Sequence, residues 1–136
     1  MKFVLDASAI MAWCFEDETT QASERILRDL FVNEAVVPSL WPFEVANALN
    51  VAVRGKRITV SDGERFLGLL LSFPIETEQL AWHKLLPSLL SLASQHHISG
   101  YDAAYLELAL REALPLATLD LNLKKIAAGL GVALVA

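Results

Sequence analysis

Short apolar runs alternate with longer segments of helical periodicity along this chain. The first run, Phe3-Val4-Leu5, is typical of a fully buried strand, and the alanine-rich segment after it predicts a helix from Ala9 to about Phe15. Further strands are predicted at 35–37, 73–76, 116–119 and 132–135. The apolar runs therefore predict a sheet of about five short strands.

Amphipathic segments between these runs predict the helices. Thr19 or Thr20 is a candidate N-cap for a helix that ends near Asn33, and Pro42 is well placed as the first residue of a helix that ends near Gly55. The remaining helices are predicted at 61–71, opened by a capping box at 61–64; at 77–97, as two helices or one broken at Pro87; from 99–102 onward; and up to 128. Because strands and helices alternate, the fold class is α/β: a central parallel sheet with helices on both faces, in one three-layer domain over 1–136.

The composition limits the class of protein. Hydrophobic residues make up 54% of the 136 residues, which suggests apolar surface covered by a partner or by a second copy. No uncharged apolar run reaches the roughly 18 to 20 residues of a membrane span, and no signal peptide is recognisable, so we expect a cytoplasmic protein that does not enter a membrane. The single Cys14 excludes an internal disulfide.

The charged residues are more informative by position than by number. A formal net charge of -5 argues against a protein that coats nucleic acid through a general basic field, although Arg54, Lys56 and Arg57 form a local basic cluster. Five acids have apolar or aromatic neighbours on both sides, where unpaired carboxylates are rare: Asp6, Glu44, Asp102, Glu107 and Asp120. Glu107 is followed by Arg111 at i+4, which predicts an ordinary surface pair and leaves four acids.

These four acids are expected at one rim of the sheet. Asp6 and Asp120 end predicted strands, while Glu44 and Asp102 lie in the first turns of predicted helices. Four such carboxylates would repel one another unless a divalent cation neutralised them, and an all-oxygen site suits Mg²⁺ or Mn²⁺. Each acid taken alone also fits a structural role: Asp6 and Asp120 as N-caps, Glu44 as a complement to a helix dipole, and Asp102 as part of a capping box.

Four segments that contain these acids resemble the motifs of PIN-domain proteins, and in particular of VapC ribonuclease toxins from type II toxin–antitoxin pairs. They are 4–9 (VLDASA), 38–49 (PSLWPFEVANAL), 101–109 (YDAAYLELA) and 116–120 (LATLD). The resemblance covers essentially the whole chain. It implies an endoribonuclease dependent on Mg²⁺ or Mn²⁺, with Asp6, Glu44, Asp102 and Asp120 as catalytic, metal-binding acids around the attacking water.

The resemblance also implies supporting residues and partners. Ser8 and Thr118 match hydroxyl positions near the acidic pocket, with turn capping as an equal alternative, and Asn122 stands where many relatives carry a further Asp. Arg54, Lys56 and Arg57 are candidates for holding RNA backbone, with a solvated helix end as the alternative. The implied partners are an RNA substrate, a cognate VapB-type antitoxin and a second copy in a homodimer.

Two other readings of the carboxylates remain open at this point. A non-catalytic interaction module would keep them as structural caps, and an RNA-maturation nuclease would keep the chemistry without an antitoxin. The sequence does not favour a phosphatase with Asp6 as nucleophile. Such an enzyme would need a second carboxylate two residues after Asp6, where this chain has Ser8.

Overall fold

A computed structural model describes residues 1–136, apart from the side chain of Glu16. It contains four strands, seven α-helices and one short 3₁₀ turn. In chain order these are β1 Lys2–Leu5, α1 Ala7–Cys14, the 3₁₀ turn Glu16–Glu18, α2 Gln21–Val32, β2 Glu34–Val37, α3 Trp41–Arg54, α4 Val60–Ser72, β3 Ile75–Thr77, α5 Trp82–His96, α6 Gly100–Glu112, β4 Leu116–Ala117 and α7 Leu121–Gly129.

The four strands form one parallel sheet in the order β3-β2-β1-β4. The predicted α/β class is confirmed. The fifth predicted strand, 132–135, is reduced to a single parallel bridge between Leu134 and Leu116. Gly131 adopts a φ of +80° just before this segment, and the chain meets β4 through only two backbone hydrogen bonds, from Leu116 N to Ala133 O and from Val135 N to Leu116 O, both 2.9 Å.

Side chains of the central strand alternate between two separate cores. Phe3 and Leu5 pack into one core with residues of α1 to α4, whereas Val4 packs into a second core with residues of α6 and α7. Ala117 and Leu116 divide in the same way between the two faces. This period-two division is what a strand covered on both sides requires, and it confirms the three-layer arrangement.

Among the predicted helix boundaries that differ from the structure, those of α4 and α5 concern the predicted capping box and the predicted break at Pro87. Helix α4 begins earlier than expected, because Thr59 caps it and forms a capping box with Asp62, in place of the box predicted at 61–64. Helix α5 starts only at Trp82 and continues through Pro87, so the predicted break does not occur. Proline at this position gives up the hydrogen bond to the carbonyl of His83 but leaves the helix intact. No helix in the described part of the chain has the length and apolar character needed to cross a membrane.

Glu107 is buried rather than superficial. It is 6% exposed on α6, and both its oxygens accept hydrogen bonds from Arg111, at 2.5 and 3.2 Å. Arg111 also pairs with Glu78, whose side chain is 7% exposed, and with the more exposed Glu112. The i+4 pairing was predicted correctly, but the surface location was wrong, because α5 packs against α6, and Glu78, which follows β3, pairs with the same arginine.

Replacing Arg111 with alanine should destabilise the protein by about 3 kcal/mol or more, because removing one partner leaves a buried charge uncompensated. The matched control is Arg65→Ala, which removes the exposed partner of Asp62 and should change the free energy of unfolding little, because solvent screens exposed ion pairs. Urea unfolding of both variants measures the difference. If both variants lose equally little stability, the buried carboxylates of Glu107 and Glu78 do not depend on Arg111.

Candidate active site

Asp6 stands at the carboxyl end of the central strand. It directly follows β1, which is flanked by β2 on one side and β4 on the other. Its backbone N–H donates to the Ala117 carbonyl at 2.9 Å, and its side chain is buried at 6% exposure. Asp6 occupies the N-cap position of α1 without a capping side-chain hydrogen bond. Capping therefore does not account for this carboxylate.

Two hydroxyl groups hold the same oxygen of Asp6. Thr118 Oγ1 donates to Oδ2 at 2.6 Å, and Ser8 Oγ donates to it at 2.8 Å. Each hydroxyl oxygen also accepts a backbone N–H, from Leu119 onto Ser8 at 3.2 Å and from Asp120 onto Thr118 at 3.1 Å. Since the backbone donors occupy these oxygens, the hydroxyl hydrogens are directed at the carboxylate, which fixes its orientation.

Asp102 and Asp120 approach Asp6 from the starts of two helices. Asp120 is the N-cap of α7, and its Oδ1 accepts the backbone N–H of Leu123 at 3.0 Å, so the capping role is real for one of its two oxygens. Asp102 lies in the first turn of α6, which Ser99 caps by accepting the Asp102 N–H at 3.1 Å. The cap thus uses the backbone of Asp102 and leaves its half-buried carboxylate to the site.

Glu44 is oriented by a tyrosine that the sequence analysis did not single out. Glu44 lies in the first turn of α3, and Oε1 accepts a hydrogen bond from the Tyr105 hydroxyl. Tyr105 is on α6, one turn after Asp102, and it is fully buried in the second core. The i+3 spacing from Asp102 was visible in the sequence, but a core position accounts for an aromatic residue there equally well.

Burial and mutual repulsion shift the pKa values of three of the acids, and the charge of Asp120 contributes to two of these shifts. Loss of solvent raises the pKa of Asp6, and the charge of Asp120 raises it further, against the lowering effect of the two hydroxyl bonds. Loss of solvent likewise raises the pKa of Glu44, with added repulsion from Asp6 and Asp102 that outweighs the Tyr105 hydrogen bond. Burial raises the pKa of Asp102, again with repulsion from Asp6 and Asp120. Burial also keeps the Tyr105 pKa above its ordinary value, so its phenol stays protonated.

The acids are close enough to repel one another, yet they do not form one closed ligand set. Among the described side chains, no three His, Cys, Asp or Glu residues are grouped tightly enough to hold a metal ion. Their chemistry still fits a hard divalent cation, because all the donors are carboxylate oxygens and repulsion between the acids adds to burial in raising the pKa values of Asp6, Glu44 and Asp102.

Of the predicted basic residues and Asn122, Arg57 lines a groove beside the acids. This groove runs from Ser8 and Asp120 to Phe15 and Arg57. The Arg57 guanidinium lies 3.8 Å from the centroid of the Phe15 ring and pairs with Asp17 and Glu18 at 3.1 and 2.9 Å, so its charge is already shared. The other polar candidates, Arg54, Lys56 and Asn122, are exposed.

Two tryptophans, Trp13 and Trp41, have different environments. Trp13 donates its indole N–H to the Ser23 carbonyl at 2.7 Å and packs on the first core. Trp41 lines an apolar groove between α3 and α4. Its buried indole nitrogen has no hydrogen-bond partner among the described residues.

Comparisons with known proteins agree with this architecture. The family model for the PIN domain matches residues 3–129. Ribonuclease VapC3 of Pyrobaculum aerophilum is 32% identical over 123 residues, which are 90% of this chain and 92% of that protein. The crystal structure of PAE2754 from Pyrobaculum aerophilum has a TM-score of 0.67 at 24% identity and covers 92% of this chain and 86% of its own. The similarity to the PAE2754 structure is evidence for the fold alone.

Replacing Asp6 with asparagine should stabilise the metal-free protein at neutral pH. The pKa of Asp6 is higher in the folded protein than its ordinary value of 3.8, so its ionisation opposes folding. The contribution of Asp6 to wild-type stability is therefore most favourable in acid and falls as pH rises from about 4 through the raised pKa, with each pKa unit worth about 1.4 kcal/mol. The amide oxygen of Asn can still accept the hydroxyl bonds.

Urea unfolding in EDTA at several pH values checks this expectation. The gain of Asp6→Asn over wild type should be largest at pH 7 and vanish near pH 4. Glu64→Gln, at an exposed position on α4, is the matched control and should change stability little at either pH. A less stable Asp6→Asn protein at pH 7 would mean that the charge of Asp6 is compensated in the native fold.

Proposed function

Because this chain belongs to the PIN-domain family, as a VapC-like member of it, we propose that it is a metal-dependent endoribonuclease and the toxin of a type II toxin–antitoxin pair. The observation that carries the proposal is the convergence of Asp6, Glu44, Asp102 and Asp120 at one end of the sheet, where burial raises the pKa values of Asp6, Glu44 and Asp102 and repulsion from neighbouring acids raises them further. Its 32% identity to a ribonuclease VapC3 supports the same activity.

Mg²⁺ or Mn²⁺ is the proposed cofactor. Mg²⁺ is usually held by one or two carboxylates, with waters completing its octahedral shell. Four acids that share an electrostatic environment without forming a closed set suit such a site better than they suit a cage of protein ligands. Asp6, Glu44, Asp102 and Asp120 are the residues that would hold the ion. When bound, it would lower the pKa of a water molecule and stabilise charge developing on the phosphodiester.

The residues of the chain have separate tasks in this proposal. Ser8 and Thr118 both bind Oδ2 of Asp6, so that its second oxygen, Oδ1, accepts neither of these hydroxyl bonds and would be available to the ion. Asp120 keeps one oxygen for its helix and has the other available. Cleavage would leave a 5′-phosphate and a 3′-hydroxyl. Asn122 is exposed at the start of α7 and would at most bind a water of the site.

The groove from Asp120 to Arg57 is the proposed path of the RNA backbone. It connects Asp120 to Arg57, and the basic residues Arg54 and Lys56, close to Arg57 in the chain, are exposed. Because Arg57 is paired with Asp17 and Glu18, an incoming phosphate must compete with these carboxylates for the guanidinium. RNA binding is therefore expected to break these ion pairs.

We further propose a VapB-type antitoxin and a homodimer as partners, with residues 1–136 as one PIN unit in the cytoplasm. Several large apolar side chains are exposed on this chain, including Phe43, Leu71, Trp82 and Leu90, at 70 to 78%. Where such side chains lie together in one patch, they would supply the apolar surface that protein partners bind.

The freshly purified, antitoxin-free protein should cleave total RNA in Mg²⁺ or Mn²⁺ but not in EDTA. Asp6→Asn should reduce the cleavage rate by at least about a hundredfold, because it removes a charged ligand at the centre of the acid cluster. Glu64→Gln, at an exposed position on α4, should cleave at the wild-type rate. Denaturing gels and end-labelling for a 5′-phosphate report the rate and the products.

The same assay separates the alternative functions. A folded protein that leaves RNA intact in both metals would support a non-catalytic interaction module whose acids are structural. Cleavage by a protein whose expression is harmless without an antitoxin would support an RNA-maturation nuclease.

Arg57→Ala should weaken the binding of single-stranded RNA and lower the slope of log K against log salt concentration by about 0.7, the loss of one phosphate contact. Asp17→Asn should have the opposite effect, because it frees the guanidinium from one of its partners. Arg28→Ala on α2, which does not line the groove, is the control. Fluorescence anisotropy in an Asp6→Asn background measures the affinities, and equal slopes for all variants would place the RNA elsewhere.

A further inference from the structure

We infer that Tyr105 is a positioning residue of the acid site, which holds the Glu44 carboxylate in the orientation needed to bind a divalent cation. The inference rests on the metal site proposed above and concerns how the chain builds it. It is based on the hydrogen bond that joins the Tyr105 hydroxyl to Glu44 Oε1 across two helices.

Glu44 has the greatest freedom of the four acids. Its side chain has three rotatable bonds, compared with two in the aspartates, and it lies half-buried in the first turn of α3. Asp6 is fixed by two hydroxyls, and Asp120 by the backbone N–H of Leu123. Glu44 has no comparable constraint on its own helix, so its direction depends on a partner from elsewhere.

Tyr105 is well suited to be that partner. Its ring is fully buried in the second core, so its position is set by packing and not by the site. A phenol donates one hydrogen bond and brings no charge, so it orients a carboxylate without forming the ion pair that Lys or Arg would form. Only Oε1 accepts the bond, and Oε2 remains available to a cation.

The same bond joins two acid-bearing helices. Tyr105 follows Asp102 by one turn on α6, and Glu44 is on α3. The hydrogen bond therefore relates the position of Glu44 to that of the helix that carries Asp102. Supporting partners of metal ligands typically change metal affinity by about 10- to 100-fold when removed, and Tyr105 occupies this role by geometry.

The purely structural alternative is that Glu44 merely satisfies a buried hydroxyl. That alternative predicts a change in stability without a change in metal affinity. The positioning role and the structural role are distinguished by measuring Mn²⁺ binding to the RNA-free protein by calorimetry or electron paramagnetic resonance. The thermal midpoint of each variant is measured alongside.

Tyr105→Phe keeps the ring and removes only the hydroxyl, and it should raise the Kd for Mn²⁺ about tenfold or more. Tyr101→Phe is the matched control, because Tyr101 lies on the same helix one turn earlier with 67% exposure, and its Kd should equal that of wild type. In a Glu44→Ala background, Tyr105→Phe should have no further effect, because Tyr105 acts through Glu44. Should Tyr105→Phe fail to fold, Glu44→Asp keeps the charge, withdraws it from the phenol by one methylene, and should also raise the Kd.

Each other outcome identifies which proposal fails. A wild-type Kd in Tyr105→Phe, or in Glu44→Asp where that variant is needed, would overturn the positioning role while leaving the metal site in place. An added loss in the Glu44→Ala background would show that Tyr105 does not act through Glu44, which also overturns the inference. Wild-type protein that binds no Mn²⁺ would overturn both the inference and the metal site on which it rests.

Discussion

The burial of Asp6 at the end of the central strand is the constraint on which the rest of the site depends. A carboxylate that is 6% exposed loses most of its solvation, and the chain replaces that solvation with the hydroxyls of Ser8 and Thr118. These hydroxyls are in turn held by backbone N–H groups of residues 119 and 120. The connection from β4 to α7 is therefore shaped around Asp6, and this connection also places Asp120 beside it.

The fold brings the remaining acids to the same place. Parallel strands all end at one edge of a sheet, and the helices that follow them begin there. Asp6, Glu44 and Asp120 follow β1, β2 and β4 in this way, while Asp102 arrives at the start of α6. Because each of these positions is set by a different element, the repulsion among the acids does not disperse them. The fold holds together charges that would separate in a flexible chain, which is a typical conflict between stability and function.

The alternation of strands and helices and the positions of the four acids could be predicted from the sequence, because they depend on local patterns. A carboxylate between apolar neighbours at a strand end is visible in a few residues, and so is the alternation of strands and helices. The contacts that were not predicted join residues that are distant in the sequence. Tyr105 and Glu44 are 61 residues apart, and Arg57 and Asp17 are 40 residues apart. Local ambiguity explains the cap of α4, since Thr59 with Asp62 and Ser61 with Glu64 both fit a capping box. Buried Glu107 was misplaced because the i+4 pair with Arg111 has the same pattern at a surface.

The basic side chains that form salt bridges in this protein pair with acids other than the four at the site. The two arginines with several partners serve other acids: Arg111 pairs with Glu78 and Glu107, and Arg57 pairs with Asp17 and Glu18. Within the described side chains, no Lys or Arg forms a salt bridge to Asp6, Glu44, Asp102 or Asp120. Their side-chain hydrogen-bond donors are the hydroxyls of Ser8, Thr118 and Tyr105, which orient carboxylates without adding positive charge. An internal cation would have relieved the repulsion and occupied the same oxygens. The chain instead leaves the charge of the four acids uncompensated, and a divalent cation from solution is the simplest species that would balance it.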